Sequence, residues 1–277
     1  MEEKKKISAY QKLVEGIEKI TSSGQYKDFL KFMKNFHNYS FNNKLLIFTQ
    51  NADATMVAGY RAWQKMGRGV KSNPKKIFIL KPIPYTINRI ETNETEPEEI
   101  KGLKFGWTLV YDISDTYIKD DSKEIPLLDN ITLNNNSSKE LHNALLEVSP
   151  VKVFTEDTGL GLDGYYSKEE SKIVISSRLS EDDATATLLH EISHALYDEF
   201  DYKKDRDLSE IFVESIAFVT ADYFGLDTSK CSFPYITKWC NGEPKKLLEL
   251  GSKIQEASDK LIDLIENKLE IQIERVA

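Results

Sequence analysis

Cysteine is nearly absent from this chain: Cys231 and Cys240 are the two among 277 residues. That is too few for a disulfide framework and two short of a four-cysteine zinc cage, so both are expected as free thiols in a reducing compartment. Long apolar runs are missing as well. No stretch approaches the ~18 residues needed to cross a bilayer, and the opening Met1-Glu2-Glu3-Lys4-Lys5-Lys6 leads into a mixed helical pattern rather than a signal-peptide core. No membrane partner and a cytoplasmic location are therefore expected. Nothing repeats at a solenoid period. Hydrophobic residues at 40% and charged residues at 30% exclude wholesale disorder, and the length suits about two domains.

An overall excess of positive charge is also lacking. The net charge of -8 argues against a general nucleic-acid binder, but the average hides a polarity. Between Gln25 and Lys81 stand eleven lysines and arginines against Asp28 and Asp53 alone. Into that stretch fall Phe29, Phe32, Phe36, Tyr39, Phe41, Phe48, Tyr60, Trp63 and Phe78. Cations for phosphates and rings for bases are what a single-stranded nucleic-acid platform needs. Helical spacing assigns Phe29, Phe32 and Phe36 to a core instead.

Apolar periodicity predicts helices over 4–22, 25–36, 41–51 and 60–66. Lys76 to Leu80 reads as a strand closed by Pro82 and Pro84, Glu91 to Glu99 as an exposed acidic loop, and Trp107 to Ile113 as a second strand. Polar residues from Asp120 to Lys139 mark a domain boundary. Beyond it come a helix at 138–147, a strand at Val151 to Thr155, a hairpin through Tyr165-Tyr166 and Lys172 to Ile175, and helices at 181–199, 206–224 and 244–270. The last is expected to pack against one of the two domains. The fold class expected is α+β, with domains at 1–122 and 138–277. Gly159-Leu160-Gly161-Leu162-Asp163-Gly164 matches a dinucleotide-binding fingerprint, but a strand follows where a helix is required.

The chemistry is carried by Leu188-Leu189-His190-Glu191-Ile192-Ser193-His194. Residues four apart share one face of a helix, so His190 and His194 can bind one Zn²⁺, with Glu191 beside the metal's open position as general base. A third protein ligand is needed, and the metzincin continuation is missing, because Tyr197 and Phe200 occupy its places. The next helix supplies Glu210 and Glu214. Glu214 is favoured as the ligand because Val213, Ile216, Ala217 and Phe218 bury its surroundings, and a buried carboxylate is costly unless paired or metal-bound. Glu210 and Asp198 are then candidates to orient an imidazole. These parts make a zinc metallopeptidase of the gluzincin-like kind that cuts a peptide bond in an unidentified protein substrate. An edge strand such as Lys172 to Ser176 could hold the peptide, with Tyr165 or Tyr166 stabilising an oxyanion.

Taken together, the two halves resemble the ArdC-type anti-restriction proteins of mobile genetic elements. The first-half run Phe36-His37-Asn38-Tyr39-Ser40-Phe41-Asn42-Asn43-Lys44-Leu45-Leu46-Ile47-Phe48-Thr49-Gln50, with Ala58 to Trp63, Gly67 to Lys71 and Trp107 to Thr116, is similar to that family's single-stranded-DNA-binding domain. His190 to His194, Glu214 to Phe218 and Phe224 to Asp227 resemble the zincin domain also found in ImmA/IrrE-type peptidases. The resemblance implies one Zn²⁺ per chain, with Glu214 as third ligand. It implies a protein that binds single-stranded DNA, for which Asn42, Asn43, Lys44, Arg61, Trp63, Arg68 and Lys71 are the candidate contacts. Two other readings are an ImmA/IrrE-like regulatory peptidase that cleaves a repressor and a non-catalytic DNA-binding protein stapled by zinc.

Overall fold

The computed structural model describes residues 9–22, 24–36, 38–89, 98–119, 137–197, 200, 204–227 and 244–269. The expected boundary segment up to residue 136 and both cysteines lie outside them. Three helices open the fold, α1 (Ala9–Ser22), α2 (Tyr26–Met33) and α3 (Phe41–Gln50), with a 3-10 turn at Lys34–Phe36. Their apolar faces meet: Leu13, Ile17 and Ile20 of α1 are buried, and Phe29 packs edge-on against both Phe41 and Phe48 at 5.5 and 5.4 Å. The rings spaced at helical intervals are thus core.

The sheet elements that follow are β1 (Val57–Ala58), β2 (Arg68–Val70), β3 (Ile77–Arg89), β4 (Glu98–Asp112) and β5 (Thr116–Ile118), with α4 (Tyr60–Lys65) after β1. β3 and β4 form one long antiparallel ladder from Ile77↔Val110 to Arg89↔Glu98, in a sheet of order β1-β4-β3, and β2 pairs with β5. The expectation that Pro82 and Pro84 close the first strand is therefore corrected. β3 is an edge, and the backbone of Phe78 and Leu80 faces away from β4, bonding to the side-chain amides of Gln50 and Asn43. Even-numbered residues share that direction. The nitrogens of Pro82 and Pro84 thus face the side where no ladder bond is required.

In the second half come α5 (Ser137–Val148), β6 (Lys152–Glu156), β7 (Gly164–Ser167), β8 (Lys172–Ser176), α6 (Glu181–Tyr197), α7 (Arg206–Tyr223) and α8 (Pro244–Leu269). The glycine run does end in β7, and Gly159 and Gly161 take positive φ, 82° and 85°, in the turn before it. β8 lies between β6, parallel, and β7, antiparallel. Lys172 to Ser176 is consequently a central strand, not the edge expected, and among the described residues the free edges of this sheet are β6 and β7. An α+β fold is borne out.

α8 packs against more than one part of the chain. It contacts α5 and α7 on one side and α1 and α3 on the other, and it approaches so closely that a Cβ on Gly251 would stand 2.0 Å from Cζ of Phe41. Lys34 pairs with Asp222 at 2.6 Å, and the Tyr26 hydroxyl lies 3.1 Å from that of Ser215. One continuous cluster of buried side chains runs from Leu13 to Ile265. No helix among the described residues is long and apolar enough to cross a membrane.

Candidate metal centre

α6 and α7 pack side by side in opposite directions, so residues one turn apart on each come into register. His190 lies opposite Glu214, and His194 opposite Glu210. Nε2 of His190 and Nε2 of His194 stand 3.5 and 3.8 Å from the same oxygen, Oε2 of Glu210. The ligand atoms of these three residues all lie within 4.8 Å of one another. Two atoms each ~2.05 Å from a tetrahedral ion are about 3.3 Å apart, so a small contraction suffices to hold one. Glu214 occupies a different place. Its Oε2 is 3.0 Å from Nδ1 of His190, where it can accept a hydrogen bond from that nitrogen, while Nε2 faces Glu210. Of the two glutamates, Glu210 thus meets both ring Nε2 atoms, and Glu214, the expected ligand, meets the Nδ1 of His190.

Three carboxylates stand around two imidazoles, and His190, His194 and Glu210 among them could hold a metal ion. Burial alone would depress the His190 pKa, but hydrogen bonds to Glu210 and Glu214 and the charge of Glu191 outweigh it and raise it to about 10. Glu191 is buried, at 8% exposure. That burial raises its carboxyl, opposed by the charges of His190 and His194 and by a hydrogen bond from the Tyr166 backbone N–H. The Ser176 N–H donates to the Asp163 carbonyl at 2.8 Å. Alternation along β7 then turns the backbone groups of Gly164 and Tyr166 toward its free edge, which is where Tyr166 meets Glu191. Tyr166 thus joins the site through its main chain, while its ring packs against the core; Tyr165 pairs with Val174 of β8. Next to His190 a pocket of about 290 Å³ is lined by Gly164, Ala186, Thr187, Ala217, Phe218 and Ala221, among others. Asp198 lies outside the described residues.

The seven residues expected to face DNA do not form one surface. Lys44 and Trp63 are buried, at 1% and 0% exposure, and the Trp63 Nε1–H donates to the Tyr111 carbonyl at 2.9 Å. Burial lowers the Lys44 pKa to about 8, against the opposing charge of Asp259. Asn43 spends its amide on Leu80, donating to the carbonyl at 2.9 Å and accepting from the N–H at 2.8 Å. Oδ1 of Asn42 is buried. Arg68 donates to Thr116 Oγ1 at 2.7 Å, Lys71 to the Ser114 carbonyl at 2.6 Å, and Arg61 is exposed. Helix propensity and charge could not tell a lysine that roofs a core from one that faces solvent.

Fold and site together define an α+β protein in which a long β-hairpin and its helices are joined through one core to a helix pair bearing a histidine–glutamate cluster that could hold a metal ion. Residues 5–111 match the family described as the N-terminal domain of anti-restriction factor ArdC. The whole architecture is similar to crystal structures of the antirestriction protein ArdC from plasmid R388. The metal-free structure has a TM-score of 0.54 at 18% identity, covering 85% of this chain and 87% of that one. The Mn(II)-bound structure has a TM-score of 0.57 at 17% identity, covering 92% and 97%. An uncharacterized Bacillus anthracis protein, pXO2-81, is 25% identical over 289 residues; the match takes in 88% of this chain, which spans about half the length of that relative, 48%.

Proposed function

We propose that the chain is an anti-restriction protein of a mobile genetic element. On this reading it binds single-stranded DNA through residues 1–122 and carries a zinc-dependent, peptidase-type hydrolytic centre in residues 138–277. The observation that carries the hydrolytic half is the convergence of His190, His194 and Glu210 within 4.8 Å, with Glu191 buried beside them. His190, His194 and Glu210 would hold one zinc ion, and Glu214 would keep His190 in the tautomer that offers Nε2. A bound zinc ion supplies a Lewis acid and lowers the pKa of a coordinated water to about 7.

The chain's own residues do the rest. Glu191 takes the proton of the attacking water and passes it to the leaving amine, and its burial makes it a stronger base than an exposed glutamate. The Tyr166 N–H holds that carboxylate in place. The free edge of β7 at Gly164 receives an extended peptide by strand addition, and the adjoining pocket takes one of its side chains. The DNA-binding half is supported by the match of residues 5–111 to the ArdC N-terminal domain and by the lysine-rich character of that segment.

Metal analysis of the purified protein together with DNA titration at two salt concentrations tests both halves. About one zinc per chain and tight, salt-sensitive preference for single strands over duplex are expected. Glu191→Gln should keep the metal and the fold and abolish proteolysis; retention of proteolysis in that variant removes Glu191 from the chemistry. Zinc without DNA affinity would leave a regulatory peptidase.

A further inference from the structure

Of the rings in the basic stretch Tyr60 and Phe78 are exposed, and Phe105 and Trp107, beyond that stretch, join Phe78 on the hairpin. In an antiparallel ladder, directly paired residues turn their side chains to the same face. One face of the β3–β4 hairpin begins at Ile77 and Val110, both buried. The opposite face collects Phe78, Pro82 and Pro84 from β3 and Leu103, Phe105 and Trp107 from β4. Leu103 and Phe105 are 64% exposed, Trp107 42% and Phe78 40%. An apolar face this open has an occupant to explain it.

Its surroundings identify the chemistry of that occupant. From Ile77 to Thr86 and from Lys101 to Tyr111 the hairpin carries no acid, and Lys101, paired with Thr86, shares the face of the rings, whereas Lys81 and Lys104 turn to the opposite one. Nζ of Lys12 stands 5.0 Å from the centre of the Trp107 ring. Lys12 and Lys19, against one acid, Glu15, line a groove of about 250 Å³ between α1, α3 and the hairpin, with Phe78 and Trp107 in its wall. Phe105 and Trp107 are two residues apart on one strand, hence ~6.8 Å apart, twice the ~3.4 Å repeat of stacked bases along a nucleic-acid strand. That leaves room for one base between the two rings. Rings flanked by cations suit a single-stranded polynucleotide, whereas an apolar protein surface would strip water from the lysines without pairing them.

We propose that single-stranded DNA lies along this face of the hairpin, with a base between Phe105 and Trp107 and its phosphates on Lys12 and Lys19. The proposal rests on the single-stranded-DNA reading above and moves the contact surface away from Arg61, Arg68 and Lys71. Its test is titration of an oligo-dT strand onto full-length, zinc-loaded protein, followed by anisotropy and by tryptophan fluorescence. Phe105→Ala and Trp107→Leu should each weaken binding on the order of 10-fold, as loss of one stacked base does. Trp107→Leu should also remove most of the fluorescence quenching, and Lys12→Ala should lower the salt slope by about one. All three sites are exposed, and an unchanged unfolding midpoint confirms that the variants fold. Wild-type affinity in the hairpin variants, with loss of affinity on neutralising Arg61, Arg68 and Lys71, overturns the location and leaves DNA binding standing. No affinity of the wild-type protein for the oligonucleotide overturns both. A change of oligomeric state in Phe105→Ala at unchanged affinity assigns the face to a second copy of the chain and overturns the proposal.

Discussion

Glu210 and Glu214 sit one turn apart on one helix, yet the facing helix offers them different atoms, two ring Nε2 atoms to the first and the Nδ1 of His190 to the second. Glu210→Gln is expected to weaken zinc binding more than 100-fold and Glu214→Gln by about 10 to 100-fold, the usual effect of removing a group that orients a ligand. Competition against a chelator measures both, and the reverse order would return the ligand role to Glu214. Lys44 makes a second prediction. Its pKa is depressed from 10.5 to about 8 by burial, so between those values the unfolded chain holds a proton that the folded chain has lost. Stability should therefore rise with pH from about 8 toward 10.5, by on the order of 3 kcal/mol in full. Chemical denaturation at pH 7.5 and 10 should show that rise in the wild type and not in Lys44→Met. At this scale the sequence made His190, Glu191 and His194 legible because their relation is one helical turn. It could not divide the roles of Glu210 and Glu214, because those depend on the register between two helices, and no local pattern encodes that.

Elements were read better than their pairing. Every expected helix among the described residues is present within a few residues, since apolar periodicity is a local signal. The strands were placed correctly but misjudged in extent and position. Pro82 and Pro84 break a central strand and are tolerated on an edge, and β8 became central only because β6 returns alongside it. Residues at 57–58, 68–70 and 116–118 pair over two or three positions, too short to carry a period. The same edge carries a prediction. Asn43 satisfies both backbone groups of Leu80, so Asn43→Ala strands a half-buried pair and should cost about 1–3 kcal/mol in a denaturant titration. An effect near zero would mean that water takes over both bonds.

Across the whole molecule the two functional segments share one core. α8 fills it from the C-terminal side, and Gly251 is small because the Phe41 ring lies on it. Gly251→Val should destabilise by roughly 1–3 kcal/mol through overpacking. The loss should appear at the same denaturant concentration whether followed by zinc release or by the fluorescence of Trp107. Two separated transitions would show that the halves unfold independently. The sequence placed α8 but assigned it to one domain, because an amphipathic helix reveals which face is buried and not what buries it.

The order in which this core is completed has a consequence for synthesis. α1 and α3 leave the ribosome early, while the helix that covers them, residues 244–269, follows some two hundred residues later. At ~5–20 residues per second, the apolar side of the first helices stays open for ten seconds or more. A nascent chain in that interval is a client for any chaperone that binds greasy surface, and completes its fold only once its own late helix has displaced that chaperone.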